Sequence, residues 1–120
     1  MMIEGRYLGS KKEEETILAF KTLIEQHLQK QKRLDFYLSE LNISKLELER
    51  MFADVLGLSP TKFLRNYIVE HIKKDLTTTE IRMKALCAKY GFTSASALTR
   101  FVKLVTGMTP SKYRALKYKE

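Results

Sequence analysis

Apolar residues recur at Ile17, Phe20, Ile24 and Leu28, three or four apart, which is the spacing of one buried face on an α-helix. Glu13, Glu14 and Glu15 stand ahead of that face, where negative charge suits a helix N-terminus, so a first helix is predicted from Glu13. The same period returns in RLDFYLSELNIS, through Leu34, Tyr37, Leu38 and Leu41. It returns again in RMKALCAKYGFTS, through Met83, Leu86, Cys87 and Tyr90. Residues 1–12 show no sustained period and hold Gly5 and Gly9, so they read as a loose lead-in. Within it residues 3–6 spell IEGR, which matches a protease-cleavage linker as well as a chance native tetrapeptide.

The two later stretches are copies of one phrase. They lie 49 residues apart, which sets Asn42 against Gly91 and Ile43 against Phe92. A tight turn between helices often needs one residue with positive φ, which Gly adopts freely and Asn tolerates best among the others. Thr93 is then an extra residue, and from Ser44 and Ser94 the offset is fifty. Seven pairs are identical over residues 44–66: Ser44/Ser94, Leu48/Leu98, Arg50/Arg100, Val55/Val105, Gly57/Gly107, Pro60/Pro110 and Lys62/Lys112. Ser44 and Ser94 are positioned to cap a helix, and Gly57 and Gly107 to end it. Ser59-Pro60 and Thr109-Pro110 then place a capping hydroxyl before a first-turn proline. Each copy therefore reads as helix, short turn, helix, Gly stop and the start of another helix. The helix after Pro60 is predicted to run to about Leu76. The chain divides into a lead-in at 1–12, a first helix-turn-helix subdomain with its linker helix at 13–76, and a second subdomain at 77–120, all of it α.

Two helices joined by a three- or four-residue turn can set the second of them in the major groove of DNA, and any helical hairpin can mimic the pattern. Duplication sharpens it. The linker from Pro60 to Leu76 would be a rod of about 25 Å, and second helices packed at its two ends would approach the ~34 Å between successive major grooves. One chain would then read two half-sites without dimerising.

Charge supports a nucleic-acid partner. The net charge of +8 is uneven: residues 1–60 hold 9 Lys and Arg against 10 Asp and Glu, and residues 61–120 hold 13 against 4. A basic excess invites polyanions, and here it lies in one half. Lys62, Lys103, Lys112, Arg114 and Lys117 are the candidate phosphate contacts, against the plainer reading that such residues keep the protein soluble. No apolar run approaches the ~20 residues that cross a bilayer and the start lacks a signal peptide, so the expected location is the cytoplasm, with no membrane partner. The single cysteine, Cys87, suits a reducing compartment and occupies a core-facing position; alone it makes neither a disulfide nor a zinc site. His27 and His71 lack metal-ligand spacing and read as surface or edge residues. Phe63 and Tyr113, after the two prolines, read as core plugs.

The stretch CAKYGFTSASALTRFVKLVTGMTPSKYR resembles the signature of the AraC/XylS family of bacterial transcription regulators, with GF, a serine-led helix, an arginine and G-x-S/T-P-x-x-Y-R. The resemblance runs from about Ile17 to Lys117. It implies about seven helices with two helix-turn-helix subdomains on a central linker helix; from the residues themselves no cofactor, metal or catalysis is expected. It implies recognition helices at about Lys45 to Leu56 and Ala95 to Val105. Lys45, Leu46, Glu49 and Arg50 would face DNA in the first, and Ala95, Ser96, Thr99 and Arg100 in the second. Three features depart from the family pattern. The second helix offers Ala95, Ser96 and Ala97, small side chains with thin direct reading of bases. The first carries Glu47 and Glu49, with Asp54 nearby, which phosphates repel. The family's sensing domain has no counterpart in the thirty or so residues ahead of the first motif.

The expected function is thus sequence-specific binding of double-stranded DNA as a monomer to regulate transcription, with RNA polymerase as a further partner. The rival is a degenerate double helix-turn-helix that binds another protein as a co-regulator or anti-regulator through its acidic first recognition helix. Steep salt dependence separates the two. A DNA-repair methyltransferase fails for want of a zinc-binding cysteine cluster. No pair of polar residues is spaced as nucleophile and base, so an enzyme is not expected.

Overall fold

The computed structural model describes residues 11–118, with side-chain surroundings through residue 116. The IEGR sequence of the lead-in and the Lys117 side chain lie outside the described residues. The described residues form seven helices: α1 (Lys11–His27), α2 (Leu34–Leu41), α3 (Lys45–Val55), α4 (Pro60–Thr78), α5 (Met83–Tyr90), α6 (Ala95–Thr106) and α7 (Pro110–Tyr118). The first begins two residues before the predicted Glu13, and α4 ends two residues after the predicted Leu76. Among the described residues there is no strand.

Packing divides the chain into two compact units, one ending at Leu64 and the other beginning at Arg65. Within the second unit Lys73, Asp75 and Leu76 of α4 bond or pack against residues of α5 and α7.

The first unit is built around Phe20. Its ring meets Tyr37 of α2 and Phe52 of α3 edge-on at 5.6 Å each, and lies 5.9 Å from Phe63 in the first turn of α4. Phe52 and Phe63 also touch, 5.2 Å apart. Edge-to-face pairs of this kind add to the apolar area they bury. Ile24, Leu28, Leu48 and Leu64 complete the core, and Tyr37 keeps its hydroxyl satisfied by donating to the Gln31 carbonyl at 2.7 Å. Burial pushes the Tyr37 phenol up to about 12. His27 packs edge-on against Phe36 at 4.8 Å, so it closes the side of this core.

The second unit buries Ile68, Val69, Ile72 and Leu76 of α4, Leu86, Cys87 and Tyr90 of α5, and Leu98 and Val102 of α6. Phe92, in the turn after α5, packs on Phe101 at 5.3 Å. Cys87 is buried and unpaired, as its core-facing position predicts.

Candidate nucleic-acid interface

In each unit a turn delivers one helix to the surface. The first turn, residues 42–44, carries Asn42 at φ 53°, and its counterpart at 91–94 carries Gly91 at φ 72°. The extra residue Thr93 is accommodated in the longer turn. Ser44 caps α3 by accepting from the Glu47 amide at 3.1 Å, and Ser94 caps α6 by accepting from Ala97 at 3.1 Å. The copies differ in one respect. The Glu47 carboxylate reaches back to the Ser44 amide at 3.2 Å and the Ser44 hydroxyl at 3.1 Å, closing a reciprocal cap that α6 lacks. Glu47, read from sequence only as a charge near phosphates, thus holds the start of α3. The spacing S-x-x-E was its visible signal.

Gly107, left-handed at φ 80°, caps the end of α6, and Gly57, left-handed at φ 73°, follows the α3 cap residue Leu56. Pro60 and Pro110 then open α4 and α7, with Ser59 and Thr109 hydroxyls each accepting from the amide three residues on at 3.1 Å.

Leu48 and Phe52 anchor α3 to its core, as Leu98 and Val102 anchor α6. Periodicity then sends the opposite face to solvent. On α3 that face exposes Lys45, Leu46 and Arg50, with Glu49 half-buried. On α6 it exposes Ala95, Ser96 and Arg100, with Thr99 half-buried. Within each helix the candidate base-reading residues therefore share one accessible face. Glu49 also borders a shallow depression formed with Ala53, Gly57, Leu58 and Ser59.

The candidate phosphate contacts separate into two kinds. Lys62, Lys103 and Lys112 are exposed. Arg114 is half-buried, and its Nε donates to the Leu76 carbonyl at 3.0 Å while Nη2 lies 3.4 Å from the Thr79 carbonyl. Its guanidinium thus closes the C-terminal end of α4, whose last carbonyls lack partners within the helix. Thr77, Thr78 and Thr79 assist by donating their hydroxyls to the carbonyls of Lys73, Lys74 and Asp75.

A polar brace also ties α4 to α5. The Asp75 carboxylate accepts from the Tyr90 hydroxyl at 2.7 Å and from Lys89 Nζ at 2.9 Å. Burial alone would raise the Asp75 carboxyl; the Tyr90 and Lys89 hydrogen bonds, with the charges of Lys89 and His71, outweigh it and leave the group below its usual range. Tyr90 is pushed up, by burial first and then by the carboxylate. His71 stacks on Tyr67 at 5.8 Å, and Lys73 sits over the Tyr113 ring at 5.4 Å. No group of three or more His, Cys, Asp or Glu among the described residues could hold a metal ion. No helix among them is long and apolar enough to cross a membrane.

Two capped helix-turn-helix motifs, each with a solvent-facing second helix, define a class of nucleic-acid-binding fold. A model of the helix-turn-helix domain family matches residues 37–116, and the chain belongs to that family, in its AraC-type branch. It is 37% identical over 84 residues to a helix-turn-helix-type transcriptional regulator of Staphylococcus aureus, covering 67% of this chain and 11% of that protein. The chain thus spans about a tenth of the length of that relative. It is 28% identical over 91 residues to the transcriptional activator AarP of Providencia stuartii, covering 76% of this chain and 67% of that one. Its fold is similar to the C-terminal domain of AraT, a response regulator of Geobacillus stearothermophilus, with a TM-score of 0.73 at 23% identity over 84% of both chains. It is similar too to the DNA-binding domain of AdpA, solved in complex with a target DNA, with a TM-score of 0.70 at 23% identity over 92% of this chain and 96% of that one.

Proposed function

We propose that this chain is a sequence-specific double-stranded DNA-binding regulator of transcription whose α3 and α6 enter two successive major grooves of one duplex. The observation that carries this reading is the matched pair of accessible faces. Arg50 and Arg100 occupy equivalent places in the two copies and both are exposed. Arginine pairs with guanine O6 and N7 through two parallel hydrogen bonds, the commonest specific contact in the major groove. Lys45, Leu46 and Glu49 flank Arg50, and Ala95, Ser96 and Thr99 flank Arg100, so the first helix offers more varied base chemistry than the second. Lys62, Lys103, Lys112 and Lys117 supply phosphate contacts. Arg114 contributes with whatever donors its internal bonds leave free. The reading is supported by family membership and by the fold it shares with a domain solved on DNA. In it the chain acts as a cytoplasmic monomer, and RNA polymerase is a further partner at the promoter.

The test is Arg50→Ala and Arg100→Ala, measured on a duplex selected by the purified chain. Each should weaken specific binding by about 1–3 kcal/mol and relax base preference at a different half-site. Both side chains lie on the surface, so helicity should be kept. Binding that ignores duplex sequence and salt would favour the protein-interaction reading instead.

A further inference from the structure

Leu46 is an apolar side chain left 65% exposed in the first turn of α3. Single exposed leucines are ordinary on protein surfaces, and Leu18, Leu56, Leu104 and Leu116 are others here. The place of Leu46 sets it apart. It follows the exposed Lys45 and precedes the exposed Arg50 by four residues, so it lies on the accessible face that holds the reading residues. In a helix-turn-helix the N-terminal residues of the second helix are those that reach base edges. Leu104, by contrast, stands near the C-terminal end of α6, and the residue of α6 that matches Leu46 is Ser96.

A leucine has no hydrogen bond to offer a base. The apolar feature of the major groove is the C5-methyl group of thymine, which distinguishes that base from the other three. We infer that Leu46 reads a thymine methyl in the half-site bound by α3 and so fixes one base of the recognised sequence. This rests on the DNA-binding reading above and extends it to a particular chemical contact. Four residues of helix advance about 6 Å, close to two steps of base stacking at ~3.4 Å. The thymine read by Leu46 therefore lies about one to two base pairs from the guanine read by Arg50. The second half-site, facing Ser96, carries no equivalent requirement for a methyl.

Replacing thymines one at a time by deoxyuridine removes the methyl and leaves base pairing intact, which makes it a direct probe. In a duplex selected by the purified 120-residue chain, one such replacement, in the α3 half-site, should weaken binding about fourfold, the ratio supplied by burying one methyl group. Leu46→Ala should weaken binding to the thymine duplex at least fourfold and bind the thymine and uracil duplexes alike. Its fold should be unaffected, since the side chain is exposed and alanine favours helix. Replacements that leave the native protein unmoved, or that weaken native and Leu46→Ala proteins equally, would overturn the inference and leave DNA recognition standing. Failure to select any duplex would overturn both.

Discussion

Arg114 shows how a candidate phosphate contact can also hold the fold. It lies in the basic half and in a helix that begins beside Lys112, and sequence position alone groups it with the phosphate contacts. Its Nε and Nη2 also reach carbonyls 38 and 35 residues earlier, at the end of α4. A hydrogen bond from a charged donor to a partly buried carbonyl is worth more than a neutral one, and losing it strands the acceptor. Arg114→Ala should therefore lower unfolding stability by about 1–2 kcal/mol, with Arg114→Lys recovering little because an ammonium lacks the planar fork. Lys112→Ala, at an exposed site, should stay within about 0.5 kcal/mol of the native protein and lower DNA affinity. Urea titrations of the three variants check this; equal stability for Arg114→Ala and Lys112→Ala would remove Arg114 from the end of α4. Its place in the basic half was legible and its bonds to the end of α4 were not, because no periodicity links partners so far apart in the chain. Glu47 is the opposite case. Its partner is three residues away, and S-x-x-E is a local signature that charge had overshadowed.

At the scale of elements, the duplicated phrase was a faithful guide because caps and stops are local chemistry. Ser44, Ser94, Gly57, Gly107, Pro60 and Pro110 each act within a few residues of themselves, so their pattern announces helix ends before any tertiary contact is known. The brace between α4 and α5 could not be announced in this way. Asp75 stands 15 residues from Tyr90, and only the packed pair of helices brings the carboxylate to the hydroxyl. That brace gives the second unit a pH dependence with a definite sign. Asp75 lies below its unfolded value of 3.8 in the folded protein, so its contribution is fully present above about pH 4 and is lost as pH falls through the lower folded value. Melting temperatures of the native protein should fall below pH 4 more steeply than those of Asp75→Asn, which has no carboxylate to protonate. Parallel acid profiles would mean that the carboxylate adds nothing to the fold.

For the whole molecule the charge division was plain in the sequence, with the balance going from −1 over residues 1–60 (9 − 10) to +9 over residues 61–120 (13 − 4). The structure adds that Lys103 and Lys112 are exposed, while the first recognition helix holds a half-buried Glu49 and a Glu47 engaged in its own cap. In the proposed reading the first copy discriminates among bases and the second holds the phosphate backbone. Counterion release turns that division into a number, because each phosphate neutralised adds about −0.9 to the slope of log affinity against log salt. The decisive comparison is a salt titration of duplex binding by the native chain, by Lys103→Ala/Lys112→Ala, and by the equal-charge control Lys21→Ala/Lys30→Ala on the exposed surface of the first unit. The native slope should be steep, the Lys103/Lys112 variant should be flatter by about 2 and weaker on all sequences alike, and the control should match the native slope. A Lys103/Lys112 variant that keeps the native slope, or a native chain whose binding ignores salt, would contradict DNA binding anchored by the basic half.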